Sequence, residues 1–93
     1  MTPKILDHKS FSEIGEYFKA HRVRVGLTQA DIAKTLNVTV QFISNSERGM
    51  GTFPADVMRK MVGTYKIRHN EFFNFMKETQ NRSLRRLLSN KKQ

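Results

Sequence analysis

The sequence predicts an all-α fold of five helices, and three observations predict it. Apolar residues recur at three- and four-residue spacing through most of the 93 residues, which is the period of one helix face. No stretch alternates apolar and polar residues at a period of two, as a half-buried strand would. Helix start and stop residues punctuate the chain at short intervals. Ser10 with Glu13 and Thr28 with Asp31 have start spacing, and Gly, Asn or Pro closes several of the runs.

Taken in order, residues 1–9 read as an irregular lead-in. Ser10 and Glu13 have the spacing of a capping box, and Phe11, Ile14, Phe18 and, less strictly, Val25 line a first helix ending at Gly26. Thr28 and Asp31 open a short second helix whose buried side is Ile32, Ala33 and Leu36. Asn37 stops it, because its short polar side chain tolerates left-handed backbone better than most residues. Thr39 is an N-cap for a third helix anchored by Ile43, and "RGMGTFP" closes that helix with two glycines and a proline. Pro54 suits the first turn of a fourth helix with Val57, Met58, Met61, Val62 and Tyr65 on its apolar side. "KIRHN" connects it to a fifth helix marked by Phe72, Phe73, Phe75 and Met76, a cluster too rich for one buried face. Beyond it, "ETQNRS" is polar, and Leu84, Leu87 and Leu88 return at helical spacing as either a sixth short helix or an extension of the fifth. The organisation predicted is a lead-in (1–9), one domain (10–78) and a basic C-terminal tail (79–93).

Composition bounds the function. With 17 Lys and Arg against 8 Asp and Glu, the net charge is +9, and a surface that positive attracts polyanions. Nucleic acid is the first such partner and an anionic membrane the second; the plain alternative is charge that only aids solubility. The charge is uneven. Lys19, Arg22 and Arg24 cluster near one helix end, and Arg82, Arg85, Arg86, Lys91 and Lys92 crowd a tail with no acid after Glu78. The absence of Cys excludes disulfides and thiolate metal sites. No apolar run has signal-peptide or membrane-spanning length, so a cytoplasmic protein without membrane partners is expected. His8, His21 and His69 lack metal-ligand spacing, and there is no nucleophile elbow or glycine-rich phosphate loop. Neither a cofactor nor enzymatic activity is expected.

The stretch from 27 to 49, "LTQADIAKTLNVTVQFISNSERG", carries the functional signal. Two short helices joined by a tight turn make a helix-turn-helix. Ala33 supplies the small side chain needed where the helices cross, Asn37 the turn, Val38 its plug and Ile43 the anchor. The outer positions Val40, Gln41, Ser44 and Asn45 are then free to meet base edges in a major groove. Gln41 and Asn45 can donate and accept, which suits adenine, and Val40 can pack on a thymine methyl. Thr28 and Gln29 stand at a helix start, where backbone amides and the dipole favour a phosphate. Arg22, Arg24, Lys34 and Arg48 are further candidate phosphate contacts.

This stretch resembles the helix-turn-helix of the lambda-repressor-like, or Xre, family. The resemblance rests on Gly26-Leu27-Thr28-Gln29-Ala30, Ile32-Ala33, Leu36-Asn37-Val38, Ile43-Ser44 and Glu47-Arg48-Gly49, and extends more loosely over residues 11–73. It implies a compact five-helix domain in which Gln29 clamps a phosphate and Gln41 reads bases with Val40, Ser44 and Asn45. It also implies that Glu47 supports the scaffold and that dimers place two such helices on DNA. Asn37 departs from the Gly common at its position. Ser46 departs from the usual apolar residue, which predicts either a looser third helix or an aromatic, Phe42 or Phe53, filling the gap.

The function expected is a sequence-specific transcriptional regulator, a repressor that occupies an operator on double-stranded DNA as a homodimer. The dimer would form through the fifth helix or the leucines of the tail. The alternative is the antitoxin of a toxin–antitoxin pair, with the same domain on its own promoter and an apolar surface on a toxin protein. A third class is a protein-interaction module that no longer binds DNA.

Overall fold

The computed structural model describes residues 6–51 and 53–89. Lys91 and Lys92 of the basic tail, the first five residues of the lead-in and Thr52 lie outside these. Five helices follow one another: α1 (His8–Arg24), α2 (Gln29–Leu36), α3 (Val40–Glu47), α4 (Ala55–Thr64) and α5 (His69–Ser89). The core is one buried cluster from α1 to α4, including Ile14, Phe18, Ile32, Ile43 and Met61, with Tyr65, Ile67 and Phe53 closing it from the connections and α5 packing Phe72, Phe75 and Met76 against it.

Four of the helices end in the same way. Gly26, Asn37, Gly49 and Lys66 have positive φ. Around each, the amide one residue later reaches the carbonyl five back: Leu27 to Arg22, Val38 to Ala33, Met50 to Asn45 and Ile67 to Val62, at 2.9–3.2 Å. This is the Schellman closure, which satisfies carbonyls that the helix leaves open. It turns the chain away from the helix axis within two or three residues. The Asn37 turn predicted from sequence is among these four, at φ 58° and ψ 47°.

Two expectations about helix starts change. Helix α1 begins at His8, with Asp7 as its N-cap accepting from the Ser10 amide at 2.9 Å. Ser10 is therefore inside the helix and fully buried, and Glu13 pairs with Arg82 at 3.0 Å instead of reaching back to a cap. Asp wins the cap because its carboxylate also meets Arg86, at 2.8 Å through each oxygen. Pro54 lies one position earlier than expected, at the N-cap of α4 with extended backbone.

The polar tail is one continuous helix with the aromatic segment before it. Helix α5 starts at His69, inside the predicted connection, and passes residue 78 without a break. Its inner face there is small and polar. Thr79 and Ser83 are buried, and the Ser83 hydroxyl accepts from the Asp7 amide at 3.0 Å. Nearer its start, α5 meets α1 through Tyr17, which stacks on Phe75 with ring centroids 3.9 Å apart. The Tyr17 hydroxyl reaches Glu71, and burial, helped by that carboxylate, pushes its pKa up to about 12. The rich Phe cluster divides as its density requires: Phe72, Phe75 and Met76 pack on the core while Phe73 faces solvent.

Candidate nucleic-acid interface

Helix α2 starts in a full capping box. The Thr28 hydroxyl accepts from the Asp31 amide at 3.0 Å, and the Asp31 carboxylate accepts from the Thr28 amide at 2.9 Å. The Thr28 amide, first, and the Thr28 side chain hold the Asp31 carboxyl below its ordinary pKa. The box uses the amides of Thr28 and Asp31 and leaves those of Gln29 and Ala30 directed out of the helix start, where an anionic oxygen can be met.

Helix α3 follows after the Asn37 turn, capped by the Thr39 hydroxyl on the Phe42 amide at 2.9 Å. Ile43 is fully buried and Val38 packs against the core, so the two anchors take the places predicted. Eight residues make α3 about 12 Å long, which suits a major groove. Val40 and Gln41 are exposed, and Ser44 and Asn45 are half-buried. The polar members of this outer face are already linked. Gln41 Nε2 donates to Asn45 Oδ1 at 2.9 Å, and an Arg48 amino group donates to the same oxygen at 3.0 Å. Arg48 thus joins the Gln41 and Asn45 group and does not stand apart from it.

What fixes α3 is a close crossing with α1. A Cβ placed on Gly15 would fall against the Ser46 carbonyl oxygen and 2.6 Å from that of Glu47. One on Gly49 would fall 2.5–2.8 Å from Ser12. The two backbones touch, and only small residues fit between them. Ser46, whose carbonyl lies at this crossing, is itself buried. Phe53 lies in the core and Phe42 packs against it.

A buried ion pair locks the same junction. Arg22 Nε donates to Glu47 at 2.6 Å, its amino group donates to the second oxygen at 3.1 Å, and its remaining amino group donates to the Leu27 carbonyl at 2.7 Å. Both side chains are more than nine-tenths buried. Arg22 is therefore no phosphate contact: its donors face inward, and a bidentate carboxylate raises its pKa further. Glu47 also accepts from Gln29 Nε2 at 2.9 Å. One carboxylate in α3 thereby holds the end of α1 and the start of α2. Beside it, the Tyr65 hydroxyl is buried with no hydrogen-bond partner among the described residues, and burial pushes its pKa well above the ordinary tyrosine value.

The other predicted cations separate. Arg24 is exposed, yet one amino group donates to the Tyr65 carbonyl at 3.2 Å, tying the ends of α1 and α4. Lys34 is exposed on α2. Sequence reasoning missed the Arg22–Glu47 pair, although a signal existed. Arg22 continues the Ile14–Phe18 stripe by one turn, and Glu47 stands one turn after Ile43, so two opposite charges sit on two buried faces. Among the described residues no group of three or more His, Asp or Glu gathers into a metal site, and no helix is long and apolar enough to cross a membrane.

Comparison with curated proteins and with solved structures finds no match for this chain. A family model described as helix-turn-helix matches residues 18–72, more than half of the chain, from the second half of α1 through α2, the Asn37 turn, α3 and α4 to the start of α5. With the paired helices, the Asn37 turn and the exposed face of α3 in place, the chain belongs to the lambda-repressor-like (Xre) helix-turn-helix family, which is a family of DNA-binding regulators.

Proposed function

We propose that the protein is a sequence-specific transcriptional repressor of the cytoplasm, which occupies an operator as a homodimer. The observation that carries this reading is the outer face of α3. Val40, Gln41, Ser44 and Asn45 stand on a helix whose inner side is pinned by Gly15, Ile43 and Glu47, so the reading atoms are held by the core. Gln29 and the open amides of α2 would take a phosphate, with Thr28 shaping the helix start. Arg24, Lys34 and Arg48 add positive charge around that contact within a chain of +9.

Selection of bound sites from random DNA tests the reading. A palindrome with half-sites about one helical turn apart is expected. Gln41→Ala should then cost about 1–3 kcal/mol at particular base pairs, whereas Arg48→Ala should weaken binding across sequences. Equal losses on selected and random DNA for Gln41→Ala would remove the base-reading role. The antitoxin reading has one observation in its favour: an apolar groove of about 410 Å³ between α4 and α5, away from the reading face. A small neighbouring reading frame, toxic alone and neutralised by this chain, would establish it.

A further inference from the structure

The outer face of α3 carries more information than its residue types. Three side chains there form one hydrogen-bonded group. Gln41 Nε2 and an Arg48 amino group both donate to Asn45 Oδ1, at 2.9 and 3.0 Å. A guanidinium can only donate. The Asn45 atom that faces Arg48 is therefore its oxygen, because the amide turned over would set one NH2 group against another. With that oxygen in place, the Gln41 atom facing it must be a donor, Nε2. One arginine thus fixes which way both amides point.

The consequence is that two side chains of the same chemistry offer DNA different things. The Asn45 oxygen has two lone pairs, and both are taken. Only the two hydrogens of its Nδ2 are left to meet a base. Gln41 has used one hydrogen of Nε2 and keeps the other, together with its Oε1. In the major groove adenine shows an acceptor beside a donor, N7 and the N6 amino group, whereas guanine shows two acceptors, N7 and O6. Gln41 keeps the pair that adenine requires. Asn45 has lost its acceptor.

We propose that Arg48 sets base specificity through Asn45: by holding the Asn45 oxygen it withdraws this side chain from adenine and commits it to guanine, leaving adenine to Gln41. This rests on the base-reading role proposed above for α3 and deepens it, since residue type alone matches both amides to adenine. Arg48 is placed for the task. It is the C-cap of α3, and its backbone amide bonds to the carbonyls of Ser44 and Asn45. Its side chain makes no ion pair among the described residues that would draw it away from Asn45.

Selection of sites from random DNA with three full-length chains tests this. Asn45→Asp keeps an acceptor for Gln41 and Arg48 but has no donor. The column it reads should turn from guanine to cytosine, whose N4 amino group a carboxylate accepts. That change identifies the Asn45 column. Arg48→Ala, besides its loss across sequences, should release the Asn45 amide, and adenine should gain on guanine in the same column by roughly tenfold. Arg48 is exposed and Asn45 half-buried on the outer face, so both variants should keep the helix content of the wild type. An adenine in the Asn45 column of the wild type, or a guanine there that Arg48→Ala leaves unchanged, would overturn the proposal. Failure of base reading itself would look different: selection would recover no motif with any of the three chains, and both readings would fall.

Discussion

One substitution made at two glycines should have opposite effects. Gly15 lies in α1 and Gly63 in α4, both inside helices, where Ala is preferred over Gly by about 1 kcal/mol. At Gly63 a Cβ meets nothing within 4 Å, so Gly63→Ala should keep that gain and stabilise the protein by up to ~1 kcal/mol. At Gly15 the Cβ would press on the Ser46 and Glu47 carbonyls, with the Glu47 carbonyl carbon at 2.8 Å. Those are backbone atoms, and no rotamer change relieves them. Restoring ordinary contact needs α1 and α3 to part, against the Arg22–Glu47 bond of 2.6 Å that joins them. Overpacking of this kind costs about 1–3 kcal/mol, with unyielding backbone at the upper end. After the propensity gain of about 1 kcal/mol, Gly15→Ala should lose roughly 2 kcal/mol. For a domain of this size that lowers the melting temperature by ~8–16 °C. Thermal unfolding followed by circular dichroism measures both variants. A Gly15→Ala protein as stable as wild type would refute the close crossing.

The buried pair gives a second expectation. Glu47→Gln keeps the shape but leaves the Arg22 charge without its carboxylate, and about 3–5 kcal/mol should be lost in urea unfolding at neutral pH; a loss below ~1 kcal/mol would mean the pair is hydrated. Lys66 holds a left-handed conformation at φ 58° that costs an L-residue roughly 1 kcal/mol, so Lys66→Gly should raise stability by about that amount in the same assay. Asp7 has its pKa held well down, first by the Arg86 hydrogen bonds, so its contribution is full above the unfolded value near 4. That contribution should fade as pH falls from about 4 toward the lower folded pKa. Asp7→Asn keeps a good cap but not the charge. Its stability difference from wild type should therefore shrink toward zero with acidification, and a difference independent of pH would refute the pairing.

The helix-turn-helix was legible because each of its joints has a local cause. Thr28, Asp31, Asn37 and Thr39 act on their own neighbours within three or four residues, and all four take the roles their types predict. The start of α1 was misplaced because its cap is chosen by Arg86, which is far away in sequence. The second half of α5 was ambiguous because its polarity is inverted: Thr79 and Ser83 face inward against α1, while the leucines face water. Lys66 gave no stop signal, since the core contacts of Ile67 and Tyr65 impose its conformation. At the candidate interface, the outer residues of α3 followed from helical period, whereas the fate of Arg22 depended on a partner 25 residues away.

The single carboxylate that joins three helices bears on how such a protein finds its site. Glu47 holds Gln29 at the start of α2 and belongs to the helix that carries Gln41 and Asn45. If Gln29 meets phosphates and α3 reads bases as proposed, a chain sliding along DNA would present the same α3 orientation at every base pair, and each step would be a test of sequence with no preceding rearrangement. Encounter should then be governed by salt and diffusion, and discrimination by how long the chain stays.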